Sequence, residues 1–464
     1  MSFDPHLAEI RFGTGLSPRL APALSAAALL ARLRGPDEAA AAYPIEGWAG
    51  FQARLARAAE LTEIRKAARN DAAGLRAAKK QQNLHNKAAR QARADWVVSM
   101  VLRRAHTPDG FRERLTAFWA DHFTVQGKFG IPRRGVAPFT ESAIRPHVAG
   151  RFADMLIAAT TAPMMLHYLD QASSIGPNAP EVKRRGGRAG LNENLAREVM
   201  ELHTLGVGGP YTQDDVQQLA ELLTGLSFTF EEGFVFRPRF AEPGPETVLG
   251  KTYGGAEVPH LAEVTEALED LARHPATARH LARKLAMHFV SDAPPEGLIA
   301  DMAARYAETD GQLAEVYAVL LDHPAAWAAP LGGNVKPPVD FIGSVLRALD
   351  VPAAKMPLGD ERGFRIALAA PMEQMGQPWE QPNGPDGWPE ADGDWITPQR
   401  YAARLQWLTS APLLLLDEVP DPREVLQTAL GPLAPEGLRF AVAAAQTRIE
   451  GLALAFAAPA FQRM

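Results

Sequence analysis

The 464-residue chain has no cysteine, which excludes disulfides, thiolate metal sites and cysteine nucleophiles together. It also lacks a long apolar run. The segment LAPALSAAALLA (20–31) is twelve residues long, too short to span a bilayer. The start, MSFDPHLAEIRFG, places Asp4 and Glu9 where a signal peptide carries a basic stretch and then an apolar one. The expectation is a soluble mature chain without a transmembrane segment, cytoplasmic by default, with export alongside a partner left open. A dominant charge is missing as well, because 48 basic and 54 acidic side chains leave −6. Whole-chain electrostatics therefore predict neither a nucleic-acid sponge nor an acidic tail. GxSxG, GxxxxGK[ST], HExxH and a Rossmann glycine fingerprint after a strand are all absent. Those absences remove most of the weight from the familiar hydrolase, nucleotide-binding and zincin classes.

What is present is helical. Apolar residues at helical spacing, set among Ala, Leu, Arg and Glu, predict a mostly α fold, and 47% hydrophobic content can fill a large core. The expectation is one large multi-helix domain over 1–464, with one small β-hairpin insertion. Residues 65–104 hold eleven Lys/Arg against Asp71 and Asp95, a local +9 that leaves −15 elsewhere. Between 65 and 94 that segment has little apolar content besides Ala, Leu75 and Leu84, so it reads as a basic exposed helical arm, broken near Gly74. Thr212 with Asp215 resembles a capping box that opens a helix. FTFEEGFVF (228–236) alternates as a hairpin around a Glu-Glu-Gly turn, within a hairpin-and-loop region over 226–255. The stretch 376–398 has five prolines, four glycines and three tryptophans, which predicts an ordered loop. Helices over 398–464 then pack on the core.

Several segments in order resemble one bacterial family, catalogued as domain of unknown function 1800: FRERLTAFWADHF (111–123), MLHYLDQASS (165–174), GLNENLAREVMELHTLGVGGPYTQDDVQQLAELLTG (190–225), PGPETVLGKTYGG (243–255), ATARHLARKLAMHFVSD (276–292), KPPVDF (336–341) and PNGPDGWP (382–389). The resemblance implies a partner more than a reaction. Its members are often encoded beside a phosphatase- and sulfatase-like family, catalogued as domain of unknown function 1501. Relatives tend to show a His-Glu or His-Asp pair before the PGPETVLG segment. Here the chain reads Phe240-Ala241-Glu242, and Glu246 stands where a basic residue is usual.

Helical projection of NENLAREVMELHTLG (192–206) puts Glu193, Asn194, Arg197, Glu198, Glu201 and Thr204 in one arc of about 140°, with His203 on the apolar side. Glu201 and His203 are then about 160° apart and cannot chelate one ion as a Glu-x-x-His pair does. Glu198 and Glu201 share a face, as two carboxylates at a site or as partners of Arg197. His122 sits in the stripe of Phe111, Leu115, Phe118 and Trp119, pointing inward. Each histidine is either a satisfied core residue or part of a polar pocket in which His122 and His203 meet Asp170 and Glu198. In the pocket reading, His122, Asp170, Glu198, Glu201 and His203 are candidate catalytic residues, and His122, Glu198 and His203 would take a divalent metal as cofactor. His280, Lys284 and His288 share a face, where an ammonium between two imidazoles opposes a cation. Asn192, Asn194, Arg197, Trp379, Trp388 and Trp395 are candidate binding residues; the tryptophans would form a wall for a sugar ring or a peptide, or staple the terminal helices to the core. Asp392 and Asp394, with Glu390, resemble a fragment of a calcium loop.

Three functions remain open: a binding or scaffold subunit beside a phosphatase/sulfatase-like partner, a metal-assisted hydrolase, and a polyanion or nucleic-acid binder through the arm. The acidic remainder of the chain counts against nucleic acid.

Overall fold

The computed structural model describes residues 3–187, 190–328 and 333–464. Arg188 and Ala189, at the end of the segment read as a loop over 172–189, lie outside them. The domain is 64% helical, with two small antiparallel two-stranded sheets. No helix among the described residues is long and apolar enough to cross a membrane.

Two large apolar clusters make up most of the interior of the described residues. The larger is built around Phe111, Leu115, Phe118 and Trp119 of the helix Gly110–His122, packed with Leu285, Phe289 and Tyr317. The smaller joins Val98, Val101 and Leu102 to Phe341, Ile342 and Leu346 of the helix Pro338–Ala348, and to Trp407, Phe456 and Phe461 of the C-terminal helices. Each such side chain, fully buried, contributes roughly 1.5–3 kcal/mol. The helix Ala72–His106 supports both the surface and the core. Its second half, WVVSMVL (96–102), is apolar and buried, so the exposed arm ends near residue 93 rather than at 104. Arg103 and Arg104 lie inside, at 1% and 2% exposure. The break in the arm falls at Ala68–Asn70 rather than at Gly74, because the Asp71 carboxylate accepts from the amides of Ala73 and Gly74 and caps the second helix.

The capping box at Thr212 and Asp215 is present. Strands Leu226–Thr229 and Gly233–Phe236 pair with Phe228 opposite Phe234. A second hairpin, Pro245–Val248 with Lys251–Gly254, lies in the region read as loop. Its four-residue strands alternate too briefly to stand out, and its turn uses left-handed Leu249 and Gly250 (φ 50° and 78°).

Candidate functional site

Four of the segments that carry the family resemblance converge: the end of the helix Gly110–His122, the Asn194–Glu198 helix with the turn after it, the helix Pro275–Phe289, and the 376–398 loop. Val199–Thr204 forms a π turn, in which i→i+5 bonds advance each residue through a smaller angle than an α-helix does. Thr204, expected on the polar arc, is consequently turned inward and donates to the Val199 carbonyl at 2.6 Å. His203 stays inside.

The His122 and His203 ring centroids are 5.9 Å apart, and His280 joins them at 6.2 Å from His122. His122 Nε2 lies 3.1 Å from the His203 carbonyl and His280 Nε2 3.2 Å from that of Leu202. A carbonyl only accepts, so both Nε2 atoms carry the proton. The Nδ1 atoms of His122 and His203 are buried without a partner. Burial, reinforced by the nearby Lys284 ammonium, holds His122 far below the usual imidazole range, His203 at about 3 and His280 at about 4. All three are neutral imidazoles at pH 7.

The carboxylates expected beside them stand elsewhere. Asp170 is a surface residue in left-handed conformation, paired with Lys128. Glu198 is half-buried and pushed up to about 7 by burial and by repulsion from Glu201 and Asp386. Glu201 pairs with Arg197 at 3.2 Å, and Arg197 also reaches Glu193 at 3.2 Å and Gln213 at 2.9 Å. That half-exposed network contributes little to stability. Asn192 holds local backbone, donating to the Leu169 carbonyl and accepting from the Asn194 amide, while the Asn194 side chain is exposed. Among the described residues no three His, Asp or Glu side chains are grouped to hold a metal ion, so His122, Glu198 and His203 do not form the expected metal set. The calcium fragment is likewise occupied from within. Glu390 bonds His288 at 3.0 Å, Asp392 bonds Arg463 at 2.7 Å and the Val335 amide at 2.5 Å, and Asp394 is exposed.

Sequence spacing missed Asp121, the neighbour of His122. Its carboxylate accepts from the Trp388 amide at 2.9 Å. Gly387 rests directly on it: a Cβ there would lie 2.6 Å from both carboxylate oxygens, and φ is 82°, so only glycine fits. Burial, with repulsion from Glu390 and Asp386, pushes Asp121 up to about 7 against the lowering pull of the Trp388 amide and Lys284. Lys284 is half-buried and has no ion-pair partner among the described residues. The signal was the placement of an acid at the end of a buried aromatic helix, and only the loop 267 residues away reveals its role.

Asp121 also lines a cavity of about 140 Å³ between the 72–106 and 110–122 helices, the 136–145 segment and the 376–398 loop. Trp96, Trp379 and Trp388 contribute aromatic surface to it. The loop is pinned over it by Arg93, which bonds the Trp379 carbonyl at 3.0 Å and Glu380 at 2.8 Å, and by Gln126, which donates to the Pro382 carbonyl at 2.6 Å. Glu380 is held left-handed (φ 60°), a strain of roughly 1–2 kcal/mol for a non-glycine residue. Its carboxyl is raised by burial, against Arg93. The lining arginines are all engaged: Arg103 with Glu141 at 2.7 Å, Arg104 with Asp340 at 3.1 Å, and Arg145 with Glu113 at 2.5 Å and Asp37 at 2.6 Å. The buried Thr116 hydroxyl has no partner. Trp395 stands behind, buried, its indole N–H donating to the Pro389 carbonyl, its ring 6.1 Å from Trp388 and its own carbonyl accepting from Arg404 at 3.3 Å; it does not line the cavity.

The family described as Protein of unknown function (DUF1800) matches residues 9–463, nearly the whole chain. The chain belongs to that family. No curated protein and no solved structure matches it. Within this member, the segments FWADHF, NENLARE and PNGPDGWP, far apart in sequence, share the neighbourhood of Asp121, Asp386 and Glu198.

Proposed function

We propose that this chain is a binding protein that holds a compact, hydroxylated ring in the cavity beneath the 376–398 loop. The supporting observation is the combination at that cavity of three tryptophans with a few polar groups, the Thr116 hydroxyl and the Asp121 and Glu380 carboxyls. Flat apolar faces joined to a small number of polar groups favour a sugar-like ring. The volume is close to that of a cavity of about 150 Å³ that takes one benzene ring. Because every lining arginine already has a carboxylate, a neutral ligand is favoured over an anion. Titrating the protein with a panel of monosaccharides should give a saturable change in tryptophan fluorescence, lost in Trp379→Ala and Trp388→Ala variants whose far-UV circular dichroism is unchanged. A flat response across the panel would exclude this ligand class.

Asp121 favours a second reading, acid–base work on the bound molecule, since a carboxyl poised at about 7 suits proton transfer near neutrality. Asp121→Asn keeps an acceptor for the Trp388 amide and should abolish any change in binding or turnover centred near pH 7. The family resemblance supports a further part of the reading, a subunit role beside a phosphatase/sulfatase-like protein of the domain-of-unknown-function 1501 type. Co-expression of the two chains and co-purification through a tag on one of them tests it.

A further inference from the structure

The helices Trp48–Ala67 and Ala72–His106 form an antiparallel hairpin whose inner face is made of small and tying residues. Ala78 and Ala89 are buried, His85 Nε2 bonds the Arg54 carbonyl at 3.0 Å, and Gln82 bonds Arg65 at 3.1 Å. At 100° per residue, Arg76, Lys79, Lys80, Lys87 and Arg90 fall within an arc of about 100° on the opposite face. All five are exposed. Arg90 reaches Glu361 at 3.3 Å. Arg76, Lys79, Lys80 and Lys87 have no ion-pair partner among the described residues, whereas most exposed cations elsewhere in the chain are paired. Asn83 and Asn86 lie between them and line the same shallow groove.

We propose that this face is a binding surface for the phosphate backbone of a nucleic-acid duplex. Arg76 to Lys87 spans about 16 Å of straight helix at 1.5 Å per residue, the axial length of about five phosphates on one strand. The interleaved amides add hydrogen-bond donors for phosphate oxygens. A bilayer surface fits less well. A helix that settles into lipid needs an apolar face, and here the apolar face is turned to the neighbouring helix, leaving Leu84 as the one exposed large apolar side chain on the stripe. The rest of the molecule carries a net negative charge, which favours approach of a polyanion along this face. The surface is separate from the tryptophan-lined cavity and stands or falls independently of it.

Fluorescence anisotropy of the full chain with a labelled duplex of about 24 base pairs tests the proposal, the length being chosen to exceed the footprint severalfold. Four released counterions predict a slope of log affinity against log salt of about −3.6. The fourfold variant R76A/K79A/K80A/K87A should lose at least tenfold in affinity at low salt and flatten the slope. Alanine favours helix, so the circular dichroism should hold. Equal binding by the variant, no binding at low salt, or flotation with phosphatidylserine vesicles in place of duplex binding would each overturn it.

Discussion

Glu246 offers the sharpest test of the electrostatics. It lies on the second hairpin at 3% exposure, and burial, with repulsion from Glu221, Glu242 and Glu263, raises its carboxyl from 4.5 to about 8. Glu242 is itself fixed, accepting from the Asn178 amide at 2.8 Å. Between pH 4.5 and 8 the native chain keeps a proton on Glu246 that the unfolded chain has released. The stability from this group is therefore complete below 4.5 and is lost as the pH rises through 8. At pH 8 the deficit reaches on the order of 4 kcal/mol with a rigid site, and about 2 once the hairpin relaxes. Glu246→Gln keeps the shape of the protonated acid without its ionisation. Urea unfolding followed by circular dichroism should show the variant more stable by about 2–4 kcal/mol at pH 8 and indistinguishable at pH 4.5. The same gain at both pH values, or a loss at pH 8, would refute the assignment. A basic residue here would meet the same carboxylates as partners, so Glu246→Lys should also stabilise at pH 8.

Other consequences are open to measurement. Glu113→Ala leaves the buried Arg145 guanidinium with Asp37 as its one carboxylate partner and should destabilise the fold by roughly 1–3 kcal/mol in denaturant titration, less than the loss of a sole partner would. His203 and His280 have folded-state values depressed below 6.5, so stability should fall as the pH drops from 6.5, toward about 3 for His203 and about 4 for His280, by up to about 1.4 kcal/mol per pH unit for each histidine. His203→Phe should lessen that slope, read as the unfolding free energy across the range. Gly387→Ala should lift the loop from Asp121, exposing Trp388 and shifting its emission to the red.

The α class, the Thr212 cap and the phenylalanine hairpin were legible because each rests on neighbours within a few residues. The inward direction of His122 was legible for the same reason, since a stripe of Phe and Trp at helical spacing has one buried side. Thr204 was not, because the π turn shifts register in a way that 100° spacing cannot capture. Asp121 was not, because the backbone that seats it arrives from residues 387 and 388. Asp170 was misplaced for the complementary reason: a polar residue closing a buried helix can as easily leave the interior, and Lys128 draws it out.

The loop that covers the cavity is stitched to residues Arg93, Asp121 and Gln126, each more than 250 positions earlier. Closing contacts of such separation is slow, since the chain entropy must be surrendered before any of them forms. During synthesis the faces of Trp96 and the 110–122 helix that border the cavity would stand uncovered until the last quarter of the polypeptide emerges. The covered cavity should therefore form late in folding, and a chain that stalls short of residue 398 would present its aromatic lining to whatever chaperone or aggregate meets it first.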